Sequence, residues 1–374
     1  MLKLLHTADL HLGCEFSQLP VDDRRKLARA RLAVVEPILA LADQYDVNVV
    51  LMAGDIFDTP NPSEDWWRGF ARALTIRQGW NRPVVLLPGN HDPLTDNSVF
   101  HTSHPFRQLL PAWVHVVDRD AFELALGADA VLYAAPCRSR SGAEDLALSL
   151  PSRADGDRRI RVGLVHGSTF DLPGYQTNFP IARDATAQRG LDYLAVGDTH
   201  GYREIPEHAV APIVYPGAPE STSFADSGAG SVVIVTLKRQ GTRPLLVRER
   251  VARWTWRDET ATSLDFLRTL ASEDLSSTVL RLHLDVAVSV TEEKEVDALT
   301  SRLKGNLAAS GRAGAFILDR SRLRVQIASA EDVMKDAPET LVAVAAKLAQ
   351  EAPQSDEASR ALQLLCRLVA EVAP

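Results

Sequence analysis

Cysteine is scarce in this 374-residue chain: Cys14, Cys137 and Cys366 stand far apart, with no C-x-x-C pair. That excludes a disulfide framework and a cysteine-built zinc site, and it is the pattern of free thiols in a reducing cytoplasm. No run of 18 or more apolar residues occurs, so no membrane-spanning helix is expected. Positive charge is in deficit. Lys and Arg number 41 against 49 Asp and Glu, a formal net charge of −8, which argues against a generic basic surface for nucleic acid. The phosphate-cradling P-loop pattern is missing, so any use of ATP falls to a partner. There are no internal repeats. The first residues run directly into an apolar strand that leads to Asp9 and His11, which is not the pattern of a signal peptide.

What is present is an ordered set of five short segments, each at the end of an apolar run that reads as a β-strand. LKLLHTA leads to Asp9-Leu10-His11, VNVVLMA to Gly54-Asp55, and PVVLLP to Gly89-Asn90-His91-Asp92. IRVGLV leads to His166-Gly167, and LDYLAV to Gly197-Asp198-Thr199-His200. Consecutive strand ends converge on one edge of a sheet, where open α/β folds place their ligand crevice. Carboxylates, imidazoles and one amide suit two divalent ions, Mn²⁺ first, with Mg²⁺, Fe or Zn²⁺ as alternatives. Phosphate-cleaving sites hold such ions roughly 3.5–4 Å apart, which calls for a bridging carboxylate, and Asp55 is the natural one. Asp9, His11 and His200 are assigned to the first ion, and Asn90, His166 and Asp198 to the second. His91 is placed to stabilise charge on the phosphoryl group or to protonate the leaving oxygen. Each piece alone has an ordinary reading: Asp9 as a cap, Gly54-Asp55 and Gly89-Asn90 as turns. The order of all five, each after a strand, is the signal.

The set resembles the calcineurin-like metallophosphoesterase superfamily, whose signature reads D-x-H, G-D, G-N-H-[DE], H and G-H-x-H. Within it, His6–Gly13, Ala53–Thr59, and Tyr215-Pro216-Gly217-Ala218-Pro219-Glu220 with Ser223-Phe224 resemble the SbcD family of bacterial DNA repair nucleases. The resemblance covers about residues 1–225. It implies a two-sheet αββα sandwich, DNA as substrate, an SMC-like coiled-coil ATPase as partner, and the homodimers common among family members. Two positions depart from the pattern. Asp198 stands where the family has the first His of G-H-x-H, and an aspartate adds charge that favours Mn²⁺ or Mg²⁺. Asp58 stands where relatives carry a His that positions the phosphate. Its alternative role is to cap the helix that starts near Pro62.

Three regions follow from composition and periodicity. Residues 1–255 form the catalytic domain. Within it, helices are expected over Asp22–Asp43, Ser63–Gln78, Phe106–Leu110 and Asp145–Leu150, with Trp66, Trp67 and Phe70 as core rather than base-stacking residues. Strands are expected over 113–117, 122–126 and 130–135, and a hairpin over Ser231–Leu237 and Pro244–Val251. A loop with Pro173, Gly174, Tyr175 and Asn178 lies near the site. Residues 256–330 form a small α/β unit, with a helix near Ser263–Ala271, strands over Thr278–Val286 and Arg322–Ile327, and a helix over Thr291–Ala309 capped by Thr291 and Glu292. By resemblance it caps the active site. Residues 331–374 carry two amphipathic helices, which either dock on the ATPase partner or fold against their own domain. Arg138 and Arg140, with Arg153, Arg158, Arg159 and Arg161, either extend a phosphate track or line a solvated loop.

The strand-end ligands and the resemblance together imply a divalent-metal-dependent DNA nuclease, an exonuclease with endonuclease action left open, in a cytoplasmic repair complex. A small-substrate phosphodiesterase or phosphatase uses the same chemistry. A scaffold subunit with a weakened metal site is the reading that Asp198 alone suggests.

Overall fold

The computed structural model describes residues 1–77, 79–169, 177–304, 313–326 and 337–372. The positions expected at Gln78, Pro173, Gly174, Tyr175, residues 305–309 and Ile327 lie outside the described residues. The chain separates into two compact units, Met1–Thr255 and Trp256–Pro374. None of the described helices is long and apolar enough to cross a membrane.

The first unit opens with β1 (Leu2–Thr7), α1 (Val21–Ala33), α2 (Val35–Gln44) and β2 (Val49–Met52). Next come α3 (Glu64–Thr75), β3 (Val84–Leu86), α4 (Pro105–Leu109) and β4 (Val114–Val116). The second half runs β5 (Phe122–Ala125), β6 (Ala130–Ala134), a 3₁₀ turn at Leu146–Ser149, and β7 (Ile160–His166). It continues with α5 (Ala185–Arg189), β8 (Tyr193–Gly197), β9 (Arg203–Ile205), β10 (Ile213–Tyr215), β11 (Ser231–Leu237) and β12 (Leu245–Arg250). The single helix expected over Asp22–Asp43 is two. Pro37 has no N–H to donate to the preceding turn, and its ring fits only in the first turn of a new helix, so the chain breaks at Val34.

Two six-stranded sheets result, ordered β12-β11-β1-β2-β3-β4 and β5-β6-β7-β8-β10-β9. The runs β1-β2-β3-β4 and β6-β7-β8-β10 are parallel, and the flanking strands are antiparallel. Alternation along each strand builds three apolar layers. Leu2, Leu4, Val49, Leu51 and Val85 of one sheet face Leu132, Val162, Leu164, Tyr193 and Ala195 of the other. Leu5, Val50, Met52, Val84 and Leu86 point away, onto Leu39, Trp67, Phe70 and Leu74 of the helices. Val131, Val165, Leu194 and Val196 meet Leu146, Ala147 and Ala185 on the far side. The layers are helix, sheet, sheet, helix, a four-layer α/β sandwich. Trp67 and Phe70 are buried in it and Trp66 is half-buried.

One polar pair crosses the inter-sheet layer. His6 Nδ1 of β1 lies 2.9 Å from Tyr193 Oη of β8, and His6 Nε2 is buried with no hydrogen-bond partner. Burial pushes the imidazole down to about 3. An unfolded histidine titrates near 6.5, so between pH 6.5 and 3 only the unfolded chain takes the proton. Stability therefore falls as pH drops through that window, by roughly 3 kcal/mol at pH 4.5, two units below the unfolded value. Urea midpoints of wild type and His6→Gln at pH 7 and 4.5 test this. The wild type should lose that much more than the variant, and equal losses would assign the acid sensitivity elsewhere.

The second unit contains β13 (Thr255–Ala261), α6 (Leu264–Leu270), β14 (Thr278–Leu284), β15 (Ala287–Ser289), α7 (Val290–Lys304), β16 (Ala315–Asp319) and β17 (Arg324–Gln326). Strands β13-β14-β16 form one sheet and β15-β17 a second, over a core that includes Leu267, Leu280, Leu282, Val296 and Phe316. The start of α7 is capped by Ser289 rather than Thr291. Ser289 Oγ accepts from Glu292 N at 3.2 Å, while Glu292 Oε2 accepts from Ser289 N at 2.8 Å, a reciprocal box. Two closing helices, α8 (Glu339–Glu351) and α9 (Asp356–Val372), pack through Leu341, Ala345, Leu362, Leu365, Cys366 and Val369. Leu364 and Leu368, one turn apart on α9, are half or more exposed, at 58% and 50%.

Candidate metal centre

The parallel runs bring the C-terminal ends of β1, β2 and β3 to one edge of their sheet, and those of β7 and β8 to one edge of theirs. The loops after them hold unusual backbone. Asp9, His11, Asp55 and Asp198 all have positive φ (57°, 44°, 51° and 104°), a region that costs a side chain of order 1 kcal/mol or more. The loops lock one another there. Asp9 N donates to Gly54 O, His11 N to Asp55 O, and Asp198 N to Asp9 Oδ1. Two glycines are required by close approach. A Cβ on Gly54 would lie 2.2 Å from His166 Nδ1, and one on Gly89 2.2 Å from Asp55 Oδ1. The Gly of each motif is thus part of the site's packing and not only of a turn.

The seven residues Asp9, His11, Asp55, Asn90, His166, Asp198 and His200 gather here. Asp55 Oδ2 lies between two imidazoles, 3.6 Å from His11 Nε2 and 3.4 Å from His166 Nε2. His11 Nε2 and His200 Nε2 face each other at 3.1 Å, and Asn90 Oδ1 is 2.8 Å from His166 Nε2. Each histidine spends its other nitrogen on an acceptor behind it. His11 Nδ1 donates to Asp58 Oδ1 (2.9 Å), His166 Nδ1 to Ala53 O (2.8 Å), and His200 Nδ1 to Thr222 Oγ1 (3.0 Å), with Asp226 Oδ2 at 3.3 Å. Such support fixes the tautomer and aims the Nε2 lone pair forward, the arrangement of metal-ligating histidines.

The donor set fits two divalent ions. Asp9 Oδ2 and Asp198 Oδ2 are buried without a hydrogen-bond partner, and a cation would satisfy both. Burial pushes the Asp198 carboxyl up to about 7, with His166 opposing and Asp9 and Asp55 adding to the rise. Burial alone would lower His166, but Asp55, then Asp9 and Asp198, outweigh it and push the imidazole up to about 10. For Asp55, burial raises and His166 and His11 more than reverse it, so it sits well below the usual carboxylate range. The pocket therefore demands positive charge. A proton on His166 answers part of that demand, and a cation also reaches Asp9 and Asp198.

His91 differs from the rest: its side chain is 39% exposed. Its ring stands edge-on to His11, 4.8 Å between centroids, and Nδ1 lies 3.2 Å from Asp58 O. Nε2 is then left for whatever enters. The Asp58 carboxylate joins His11 to His91, 2.9 and 3.6 Å from their Nδ1 atoms. The N-cap position of α3 belongs to Ser63, so helix capping is not the role Asp58 plays.

Three supporting residues have no role in the sequence-based assignment, although Asp92 stands within the Gly89–Asp92 segment. Asp92 is buried and accepts from Gly89 N and Phe57 N, both at 2.8 Å, which ties the Asn90–His91 loop to the loop after Asp55. Burial, with Asp55, pushes it up to about 8 against those two bonds. Asp226 binds Thr222 and Ser223 and backs His200, which accounts for the serine of the Ser223-Phe224 element. Arg31 of α1 is buried under the site and donates to four carbonyls, Asp9, Leu10, Glu220 and Ser221. Truncation to Met would strand those acceptors, and a buried acceptor left unsatisfied typically costs about 1–3 kcal/mol. The Arg31→Met urea midpoint should fall accordingly, and a loss under about 1 kcal/mol would mean that water replaces the guanidinium.

The arginines divide. Arg138 and Arg140 are exposed on the loop after β6. That loop is tied to the Asn90–His91 loop through Cys137 N to Pro88 O and Leu94 N to Cys137 O, so they lie at the site's edge. Arg138 is paired with Asp120 at 2.6 Å. Arg161 is the second residue of β7 and His166 its last, roughly 16 Å away at 3.3 Å per residue. Arg161 is buried, Arg153 is bonded to Asp192, and Arg159 to Asp157. These three are structural, at the opposite edge, and do not extend a track from the centre.

Known proteins resemble this chain over much of its length. It is 25% identical over 240 residues to the metallophosphoesterase YhaO of Bacillus subtilis (strain 168), covering 61% of this chain and 55% of that one. It is 26% identical over 273 residues to the SbcD component of nuclease SbcCD from the same organism, covering 63% and 66%. The chain thus spans less than two thirds of the length of either relative. Among solved structures, a dimetal phosphatase from Danio rerio (LOC 393393) matches at 11% identity and a TM-score of 0.41, over 66% of this chain and 98% of that one. Residues 2–202, more than half of the chain, match the family model of the calcineurin-like phosphoesterases. This chain belongs to that family of metal-dependent phosphoester hydrolases.

Proposed function

We propose that the chain is a metal-dependent DNA nuclease and the catalytic component of a cytoplasmic complex with an SMC-like coiled-coil ATPase. The observation that carries the chemistry is Asp55 Oδ2 between His11 Nε2 and His166 Nε2. On this reading Asp9, His11 and His200 would hold one ion, Asn90, His166 and Asp198 the other, with Asp55 available to both. When bound, two divalent ions, Mn²⁺ first, would supply a water of lowered pKa and positive charge toward the phosphoryl oxygens. The protein's own work is done around them. Asp58 orients His11 and His91 together, and His91 offers Nε2 to the leaving oxygen as hydrogen-bond donor or acid. Arg138 and Arg140 at the edge steer the phosphodiester backbone. Leu364 and Leu368 of α9 remain exposed after α8 and α9 have packed together, and they offer the apolar stripe by which the hairpin grips a coiled coil.

DNA as substrate is supported by the SbcCD nuclease relative and by the Tyr215–Phe224 element. Tyr215 Oη donates to Gly167 O beside His166, and Ser223 orders the loop behind His200. The test is a panel of linear single- and double-stranded DNA, a cyclic nucleotide and a nitrophenyl diester with Mn²⁺. Turnover of DNA is the expected result, and turnover of the small substrates alone would replace the nuclease with a small-substrate phosphodiesterase.

A further inference from the structure

Away from the metal centre, a groove of about 820 Å³ lies in the first unit, between β9 and the β11–β12 hairpin. Lys238, Arg239, Arg243 and Arg248 line it, against one carboxylate, Glu204. This is a net positive channel on a chain of net charge −8. Glu204 faces Arg243 at 3.6 Å, and among the described residues no carboxylate is bonded to Lys238, Arg239 or Arg248. One end of the groove is Tyr202, two residues after His200, and the Arg248 guanidinium lies over its ring at 4.5 Å. The register gives the direction. Arg248 is opposite Val233, which is opposite His6 on the strand that leads to Asp9; Leu245 pairs with Thr236, three residues further from the centre, roughly 10 Å. The turn carrying Lys238, Arg239 and Arg243 lies beyond that. Leu245 is 60% exposed and, with the half-buried Leu246, adds apolar surface between the cations.

We propose that this groove binds the backbone of a single nucleic-acid strand that continues from the metal centre. It takes its substrate class from the nuclease reading above. Cations strung along a channel, with an aromatic–guanidinium stack at one end, form the usual platform for single strands, where charge tracks the phosphates and flat groups take the bases. The strand passes Tyr202 and Arg248 next to His200, then runs along β12 to the Lys238–Arg243 turn.

The test uses the full chain with Mn²⁺ and a labelled oligothymidylate with phosphorothioate links, which resist hydrolysis, followed by fluorescence anisotropy across salt concentrations. Lys238→Glu/Arg239→Glu should weaken binding at least tenfold and flatten the logarithmic salt slope by about 1.4, two contacts at about 0.7 each. Arg25→Glu/Lys26→Glu, an equal charge change on exposed positions of α1, is the control and should leave both within twofold. Equal weakening in the two variants, or no weakening in the groove variant, overturns the groove. Tighter binding of poly-glutamate than of the oligonucleotide overturns it in favour of an acidic polypeptide. Hydrolysis of the ordinary phosphodiester oligonucleotide is scored separately. If groove-dependent binding persists without cleavage, the nuclease reading fails and the groove stands.

Discussion

Asp55→Asn lowers phosphodiester turnover at least ~10³-fold, with the fold intact. Preorganised electrostatic groups at such centres are each typically worth about 10²–10³, and this one serves both halves of the site. The substitution is nearly isosteric. The amide oxygen can still accept from His91 N, as Asp55 Oδ1 does at 2.9 Å. The amide nitrogen then faces the lone pairs of His11 Nε2 and His166 Nε2, at the position of the carboxylate oxygen 3.6 and 3.4 Å away. It donates where an ion would otherwise sit, so the loops stay tied while the place for the cations is lost. Bound Mn²⁺ should fall below two per chain with an unchanged circular dichroism spectrum. His91→Ala provides the contrast: two ions retained, and turnover reduced about 10²–10⁴-fold through lost proton transfer. Turnover within tenfold of wild type in Asp55→Asn would remove the bridging role.

The contrast between those two residues bears on what a sequence discloses. The strand-end residues are legible because each lies one to four positions beyond a largely apolar run, and parallel strands carry such positions to a common edge. The pairing partners of those runs are not legible: β9 and β10 have three residues each, too few for alternation to register. The helix break at Val34 is in principle readable from Pro37, but apolar periodicity continues across it and conceals the new start. Arg31 reads as one more charge on a basic helix. Only the tertiary fold places it beneath two loops, one just before it and one about 190 residues after it in the chain, where its guanidinium replaces water for four carbonyls.

The same limit applies to charge. Arg153, Arg159 and Arg161 look like part of a track together with Arg138 and Arg140, because proximity in sequence stands in for proximity in space. Arg161 and His166 are the second and the last residue of one seven-residue strand, and that is enough to put the two at opposite ends of a sheet. Conversely, Lys238, Arg239, Arg243 and Arg248 are spread over a hairpin, where turn lysines and arginines are ordinary, and they become a channel only when β9 closes the other wall. Asp226 is hidden for a related reason: a loop aspartate among Ser and Gly reads as a turn former, and its role behind His200 depends on a contact 26 residues back.

Asp198 is the position at which residue chemistry and family pattern disagree, so its variants carry the most information. Its Oδ2 is buried without a partner, next to Asp9 Oδ2 in the same condition, and its backbone is held at φ 104° by the bond from its own N–H to Asp9 Oδ1. A residue kept in a strained conformation with an unsatisfied carboxylate is poorly explained by stability alone. Asp198→Asn removes the charge while keeping a side chain that tolerates left-handed backbone. It should weaken the second ion at least ~10²-fold, beyond the 10–100-fold that follows loss of a mere supporting contact. Asp198→His restores the family pattern. It should keep two ions but shift preference from Mn²⁺ toward Zn²⁺, since imidazole is the softer donor and carries no charge. Metal titrations followed by competition between the two ions give both numbers. Two tightly bound Mn²⁺ in Asp198→Asn would make Asp198 a bystander and leave six residues to hold the pair. Fewer than two in the wild type, with two in Asp198→His, would mean that the aspartate weakens this centre, and the scaffold reading would then outrank the nuclease.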